Sequence, residues 1–234
     1  MQVKQYKSLF FDLDHTLWDF ETNSIHTLLK MYDEFGLQEK GIDSFDDFNE
    51  VYHAINDKLW ARFRSGFLSR EELRWKRMWQ TLVHYRIPNI DTAKQMSERY
   101  LEILPTQNAV FPYAIEALQY CQAKGYEMHL ITNGFEATQH AKLKHSSMDI
   151  YFDKMITSEQ AMSMKPHKEI FEYAMQETNT KAIESLMIGD ALDIDILGAQ
   201  QVNMDQVYFN PNENLHSQKP TYEIKSLLDL KSIL

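Results

Sequence analysis

The spacing of apolar residues along the chain changes twice. A short apolar run at residues 7–12, KSLFFD, predicts a buried β-strand that ends in an aspartate. From about residue 18 to residue 105, apolar residues recur at helical spacing, as at Ile25, Leu28 and Tyr32, and runs typical of strands are missing. We therefore expect this stretch to form an all-helical insert of four or five helices.

Beyond residue 105, apolar runs typical of strands alternate with segments of helical spacing. Such alternation predicts right-handed crossovers and a parallel sheet that is covered by helices on both faces. We expect an α/β fold, with a doubly wound, Rossmann-like core at residues 1–17 and 106–234 and a helical domain at residues 18–105. The later strands are expected at residues 126–132, 154–157, 185–189 and 206–209, the helices at residues 112–124, 135–145, 167–178 and 192–201, and a short strand and a closing helix in the tail.

Composition and charge narrow the class of protein. Hydrophobic residues make up 44% of the chain, which is enough for a packed core. The formal net charge of -10 disfavours a nucleic-acid polymer as partner, because such a partner requires a basic face. Cys121 is the single cysteine, so the sequence offers neither a disulfide framework nor a thiolate metal site. Apolar runs are too short for a signal peptide or a membrane helix, and we expect a cytoplasmic protein without a membrane partner.

Two aspartates follow the first predicted strand. Asp12 and Asp14 are two positions apart, and in extended backbone such residues project to the same side. Two carboxylates held close together do not both stay ionised unless a cation or a shifted pKa compensates. The pair can therefore divide a reaction between an ionised nucleophile and a proton donor.

Further polar residues fall at the carboxyl ends of other predicted strands, where open parallel sheets bind ligands. Asp190 and Asp195 form a second acidic cluster, and Thr132, Asn133 and Lys165 offer groups that bind a phosphate. Carboxylates without a histidine or cysteine companion suit Mg²⁺. Four aspartates against one lysine leave a charge of minus three, which a divalent cation reduces to minus one and a protonated Asp14 brings to zero.

Four segments, in the order FFDLDHTL, HLITNG, SMKP and IGDALDID, resemble the four motifs of the haloacid dehalogenase superfamily, and together they span nearly the whole chain. The resemblance implies that Asp12 is the nucleophile and forms an aspartyl-phosphate. It implies that Asp14 is the acid for the leaving group and then the base for water. By the same resemblance, Thr132 and Lys165 orient the phosphoryl group, Mg²⁺ is held by Asp12, Asp190 and the backbone carbonyl of Asp14, and Asp195 supports Lys165 or the water shell of the metal.

The helical insert is similar to the cap that covers the active site in one large branch of this superfamily. Within that branch, DLDHTLWDFE, LWARFRSGFLS and KPHKEIFEYA most resemble the house-cleaning nucleotidases, which release phosphate from pyrimidine and related nucleoside monophosphates. The resemblance implies a nucleoside 5'-monophosphate as substrate. Ala191 departs from the Ser, Thr or Asn of relatives, which predicts the loss of a hydrogen bond beside the metal. The residues that either select the substrate or pack the cap are Trp18, Phe20, Asn56, Trp60, Arg64 and Arg74.

Three other functions stay open on the sequence. A 2-haloacid dehalogenase requires the nucleophile but neither a leaving-group acid nor a metal, so Asp14 and Asp190 argue against it. A sugar-phosphate phosphatase or a phosphomutase shares every motif of the core. A catalytically silent binding protein is disfavoured because all four motifs are intact.

Overall fold

The computed structural model describes residues 6–234, and residues 1–5 of the predicted core lie outside this range. The chain forms two compact units. The core unit contains Asn108–Leu234 together with the N-terminal segment through Phe20, and the helical unit is Glu21–Gln107. The helical unit thus begins three residues later and ends two residues later than the bounds expected from the sequence.

The helical unit is built from four helices whose apolar residues recur at helical spacing. In the second of them, Phe48, Tyr52, Asn56 and Leu59 are buried and lie on one face. Ser69 begins the third in a capping box, which satisfies backbone N–H groups of the first turn. No helix within residues 6–234 combines the length and the apolar character that a bilayer span requires. The helices are α1 Phe20–Glu34, α2 Phe45–Arg64, α3 Arg70–His84 and α4 Ile90–Ile103.

The core unit contains a six-stranded sheet in which neighbouring strands run parallel. The strand order is β3-β2-β1-β4-β5-β6. The predicted α/β fold with a doubly wound parallel sheet is therefore confirmed. The strands are β1 Ser8–Phe11, β2 Glu127–Thr132, β3 Lys154–Thr157, β4 Ser185–Gly189, β5 Asp205–Phe209 and β6 Tyr222–Ile224.

Strand β1 lies at the centre of the sheet and is buried along its whole length. Burial on both faces is typical of a parallel strand that helices cover from two sides. Phe11 pairs with Leu130 of β2 and with Ile188 of β4. The order of strands reverses between β1 and β4, and ligands bind at such a reversal in open α/β sheets. Residues that follow β1 and β4 are therefore neighbours at the carboxyl edge of the sheet.

Helices of the core unit pack on the sheet and fix its carboxyl edge. Phe10, Ile131 and Met187 of three adjacent strands share one apolar cluster with Ile170 and Phe171 of the helix after Lys165. This cluster anchors the loops that carry the polar residues. The helices are α5 Ala114–Ala123, α6 Glu136–His145, α7 Ser158–Ala161, α8 Lys168–Thr178 and α9 Leu197–Gln201.

Three helices differ from the prediction, and one of them, α7 at Ser158–Ala161, was not expected from the sequence. The helix expected at residues 192–201 begins with a π-helical turn, Leu192–Ile196, before α9 continues it. The turn is wide because the Ala191 carbonyl accepts from the N–H of Asp195 and also from the N–H groups on either side of it. The closing helix of the tail is a 3₁₀ helix, Leu227–Ser232.

Candidate active site

Three carboxylates converge at the carboxyl edge of the sheet. Asp12 follows β1 directly, Asp190 follows the neighbouring β4, and Asp195 lies in the π-helical turn that comes next. One oxygen from each of the three carboxylates lies within 4.8 Å of the other two. The reversal of strand order thus brings together carboxylates that are far apart in the sequence.

A buried ammonium group joins two of these carboxylates. Lys165 Nζ lies 2.7 Å from Asp12 Oδ1 and 2.7 Å from Asp195 Oδ1, and the lysine is only 2% exposed. Asn133 holds the backbone of Lys165. Its Oδ1 accepts the Lys165 N–H at 2.8 Å, and its Nδ2 donates to the Lys165 carbonyl at 2.9 Å. Asn133, expected to bind phosphate, is therefore used here to fix the loop that carries the lysine.

Both oxygens of Asp195 have partners. Oδ1 accepts from Lys165, and Oδ2 accepts the Ala191 N–H at 3.0 Å. A Cβ at Gly189 would lie 2.4 Å from Asp195 Oδ2, so a glycine is required at the end of β4 for this carboxylate to approach. Because both of its oxygens have protein partners, Asp195 is better placed to support Lys165 than to bind a metal ion.

Thr16 is a site residue that sequence reasoning missed. Its hydroxyl donates to Asp190 Oδ1 at 2.9 Å, and the residue is completely buried. Thr16 therefore supplies Asp190 with a supporting hydrogen bond, which the apolar side chain of Ala191 does not offer. The available signal was the position of this threonine, in the turn just after the acidic pair that closes β1.

Two residues of α6, also missed from the sequence, contact the Asp14 carboxylate. Lys142 Nζ lies 2.5 Å from Asp14 Oδ1, and Gln139 Nε2 donates to Asp14 Oδ2 at 2.9 Å. Burial acts to raise the pKa of Asp14, but the Lys142 ammonium and the two hydrogen bonds outweigh it and hold the pKa below its ordinary value. Asp14 is thus a carboxylate in this arrangement, and the protonated Asp14 that the charge count on the sequence expected is wrong for the site without substrate.

The pKa values of Asp12 and Asp190 shift in the opposite direction. Burial raises the pKa of Asp12 to about 8, and the carboxylates of Asp195 and Asp190 add to the rise although Lys165 opposes it. Burial and Asp195 raise the pKa of Asp190 to about 7. For Lys165, burial acts to lower the pKa, but Asp12 and Asp195 outweigh it and raise the pKa above its usual value.

The charges and donor atoms of this cluster fit a divalent cation. Sequence reasoning counted one lysine against four aspartates, but Lys142 adds a second buried ammonium group and leaves a charge of minus two. Asp12 and Asp190 are held at Oδ1 by Lys165 and Thr16, so their second oxygens are the candidate ligands. Carboxylate oxygens are the ligands that Mg²⁺ prefers. One Mg²⁺ would balance the charge of the site.

The remaining candidates of the core unit lie around α6. Thr132, the last residue of β2, is buried, and its Oγ1 accepts from Gly134 N–H at 3.0 Å and from Gln139 Nε2 at 2.7 Å. Trp18 is completely buried beneath the Lys142 ammonium, which lies 4.4 Å from the ring centroid. The ring of Phe20 is 5.6 Å from the same ammonium group.

The other specificity candidates belong to the helical unit. Asn56 is buried in α2, and its Oδ1 accepts from Arg77 Nη1 at 3.2 Å. Trp60 and Arg64 are half-buried, and Arg74 is exposed. Asn56 therefore has a packing role inside its own unit, while a role in specificity stays a prediction for each of these side chains.

The fold and the four segments define a family of hydrolases. Residues 6–203 match the family model of the haloacid dehalogenase-like hydrolases, and the chain therefore belongs to this family. The family recognised from the sequence is therefore confirmed, and the chain is an enzyme of the hydrolase class.

Individual relatives resemble the chain over nearly its whole length. It is 31% identical to pyrimidine 5'-nucleotidase PynA of Streptococcus pneumoniae, over 98% of this chain and 95% of PynA. It is 28% identical to pyrimidine 5'-nucleotidase YjjG of Escherichia coli, over 97% of this chain and 96% of YjjG. Among solved structures, the magnesium-bound HAD-hydrolase YfnB of Bacillus subtilis superposes with a TM-score of 0.88 at 28% identity, covering 98% of this chain and 99% of YfnB.

Proposed function

We propose that this hydrolase is a Mg²⁺-dependent phosphatase that cleaves nucleoside 5'-monophosphates through an aspartyl-phosphate on Asp12. One observation carries the proposal. The Asp12 carboxylate is fixed at Oδ1 by Lys165 at 2.7 Å and shares a cluster of carboxylate oxygens with Asp190 and Asp195. A buried carboxylate with one fixed oxygen and an adjacent cation site is suited to attack phosphorus.

The first half of the reaction follows from these contacts. An Asp12 oxygen forms a bond to phosphorus while the bond from phosphorus to the ester oxygen breaks. Asp14 is a carboxylate before substrate binds. The negative charge of the bound phosphate ester raises its pKa, so that it takes up a proton, which it then gives to the departing alkoxide. The ammonium group of Lys165 and the hydroxyl of Thr132 stabilise charge on the phosphoryl oxygens. Mg²⁺, held by Asp12, Asp190 and the backbone carbonyl of Asp14, supplies further charge neutralisation when bound.

The second half-reaction frees Asp12 and returns a proton to Asp14. The Asp14 carboxylate, now without its proton, accepts a proton from water as the water oxygen attacks phosphorus. The bond between phosphorus and Asp12 then breaks, inorganic phosphate leaves and Asp14 is protonated again. This sequence requires the Asp14 side chain to give and take one proton per turnover.

The proposal that the substrate is a nucleoside monophosphate rests on the similarity of the chain to two nucleotidases. PynA and YjjG are pyrimidine 5'-nucleotidases, and each resembles this chain over almost its full length. The helical unit is proposed to act as the cap that selects the leaving group. Interdomain movement is described for YfnB, and movement of the cap is proposed here by analogy.

A phosphate-release screen tests the proposal. The purified enzyme is assayed with Mg²⁺ or with excess EDTA on pyrimidine and purine nucleoside monophosphates and on sugar phosphates. We expect Mg²⁺-dependent release that is fastest with pyrimidine nucleotides, and none from the Asp12→Asn variant. Release that survives EDTA would contradict the metal, faster turnover of sugar phosphates would contradict the substrate, and an isomerised sugar phosphate in place of free phosphate would indicate a mutase.

Dehalogenation of a 2-haloacid is disfavoured as the main reaction by the same site. That reaction requires neither an acid for the leaving group nor a cation, yet the Asp190 carboxylate lies beside the nucleophile and Asp14 follows it two positions later in the chain. Halide release from a 2-haloacid in EDTA, at a rate above that of phosphate release in Mg²⁺, would reverse this assignment.

A further inference from the structure

Lys142 and Gln139 form a pair of donors, the α6 donor pair, that occupies both oxygens of the Asp14 carboxylate. They are three positions apart on α6 and therefore share a face of the helix. Lys142 Nζ lies 2.5 Å from Oδ1, and Gln139 Nε2 donates to Oδ2 at 2.9 Å. With one donor on each oxygen, rotation of the Asp14 side chain is restricted.

The burial of Lys142 is not explained by stability. The lysine is 3% exposed, and its ammonium lies 4.4 Å from the ring centroid of Trp18 and 5.6 Å from that of Phe20. Such a buried ion pair adds little net stability compared with apolar residues of the same volume. Lys144, two positions on, shows that a lysine of this helix can remain in solvent. The position of Lys142 therefore indicates a task at Asp14.

Gln139 links the same carboxylate to Thr132. Thr132 Oγ1 accepts from Gly134 N–H and from Gln139 Nε2, at 3.0 and 2.7 Å. A hydroxyl has two acceptor sites and one proton, so these two donors leave the Thr132 proton to be donated elsewhere. A Cβ at Gly134 would lie 2.4 Å from Gln139 Cδ, so glycine at this position makes room for the amide.

We propose that the α6 donor pair positions the reacting groups of this enzyme: Lys142 orients the Asp14 side chain, which takes up a proton when the substrate binds and gives it to the leaving group, and Gln139 directs the Thr132 hydroxyl toward the phosphoryl group. The proposal rests on the proposed function, because it assigns Asp14 to the leaving group. Neither residue of the pair is required to touch the substrate.

The test compares two phosphate esters that differ in their need for an acid. A nucleoside monophosphate leaves as an alkoxide, which requires a proton, whereas p-nitrophenyl phosphate leaves as a stable anion, which does not. Lys142→Met keeps the length and the apolar stem of the side chain against Trp18 and removes the charge. The matched control is Lys144→Met on the exposed face of α6.

We expect Lys142→Met to lower kcat on the nucleoside ester by about tenfold or more, and by no more than the roughly 10²- to 10⁴-fold that a general acid contributes. With p-nitrophenyl phosphate the loss should be much smaller, and Lys144→Met should match the wild type on both esters. An equal loss on both esters, wild-type rates on both, or a faster reaction of the nucleoside ester, which is the result if loss of Lys142 only favours the protonated form of Asp14, would overturn the role of Lys142.

A double variant covers the case in which a lone Asp14 carboxylate disrupts folding. Asp14→Asn combined with Lys142→Met removes both charges, and its rate should equal that of Asp14→Asn alone. A further loss in the double variant would mean that Lys142 acts independently of Asp14 and would overturn the proposal.

Gln139→Leu tests the second half of the proposal. Because Thr132 acts on the phosphoryl group of either ester, we expect this substitution to lower kcat on both. Gln139 also holds Asp14 Oδ2, so additivity is tested on p-nitrophenyl phosphate, which needs no acid, and there its loss should not add to that of Thr132→Val. Additive losses, or wild-type rates for Gln139→Leu, would overturn the role of Gln139.

Wild-type rates separate this proposal from the proposed function. If the wild type hydrolyses other alkyl phosphates and leaves nucleotides intact, the nucleotide assignment fails, and the Lys142 comparison is made with the alkyl ester that is hydrolysed. If the wild type releases phosphate from neither kind of ester, both proposals fail.

Discussion

The ammonium group of Lys165 donates to Oδ1 of Asp12 at 2.7 Å, although the two residues are 153 positions apart in the chain. The lysine is buried, and a second carboxylate, that of Asp195, holds the same ammonium group from another side. The orientation of the proposed nucleophile therefore depends on the loop between α7 and α8 and on the turn that follows β4.

Removal of this lysine should affect both stability and turnover. We expect Lys165→Met to lower the free energy of unfolding by about 3 to 5 kcal/mol, because it leaves two buried carboxylates without their cation. Turnover should fall by about a hundred- to thousandfold, the range for loss of one preorganised donor. Urea unfolding and phosphate release measure the two effects.

Lys168→Met is the matched control, since Lys168 is an exposed lysine in the first turn of α8. It should leave both quantities near the wild-type values. A Lys165→Met variant with wild-type stability and turnover would mean that the contact between Lys165 and Asp12 has no consequence.

Thr16 should strengthen the binding of Mg²⁺. Its hydroxyl donates to Asp190 Oδ1 at 2.9 Å, and the proposed ligand loses this support in Thr16→Val, which keeps the volume of the side chain. Loss of such a supporting group costs about 10- to 100-fold in metal affinity. The Mg²⁺ concentration for half-maximal phosphate release should rise by that factor while the substrate KM at saturating Mg²⁺ changes little.

The control for Thr16→Val is Thr81→Val, at an equally buried threonine whose hydroxyl bonds to Arg77 O inside α3. An unchanged Mg²⁺ requirement in Thr16→Val, or the same increase in Thr81→Val, would show that Thr16 does not support the metal site.

Stabilisation of the protein by Mg²⁺ should increase with pH. Burial raises the pKa of Asp12 to about 8 and that of Asp190 to about 7, above the ordinary value of 3.8. Between the ordinary and the raised values, the folded metal-free chain binds more protons than the unfolded chain. The stability that these two groups give to the metal-free fold therefore falls as pH rises.

Binding of the cation displaces those protons, so affinity for Mg²⁺ strengthens in the same pH range. We expect the rise in Tm caused by a fixed excess of Mg²⁺ to be larger at about pH 9 than at about pH 5. Asp190→Asn should remove most of the difference. A rise in Tm that is the same at both pH values would argue against Asp12 and Asp190 as ligands.

Much of the fold and the main acidic cluster could be predicted because their signals are local. β1 and β4 are continuous apolar runs that end in aspartates, and parallel strands place such ends on one edge. The alternation of strands and helices then leaves few topologies. Convergence of Asp12 and Asp190 follows from these patterns without knowledge of any side-chain position.

The contacts of Asp14 could not be predicted in the same way. The sequence EATQHAKLKH of α6 is mostly polar, with Leu143 as its one large apolar residue, and its spacing does not by itself distinguish Lys142, which is buried, from Lys144, which is exposed. Which lysine turns inward depends on how the helix packs against Trp18 and Phe20. The π-helical turn at Asp195 likewise depends on hydrogen bonds to Ala191 that leave no periodic signal.

The covalent intermediate on Asp12 is the central claim, and chemical trapping tests it most directly. Enzyme is mixed with Mg²⁺ and a nucleoside monophosphate, quenched during turnover, reduced with borohydride and analysed by peptide mass spectrometry. Borohydride reduces an acyl phosphate to an alcohol, so residue 12 should be recovered as homoserine when both substrate and Mg²⁺ are present, and as aspartate when either is omitted. Phosphate release with residue 12 unchanged, or with homoserine at another position, would contradict the account.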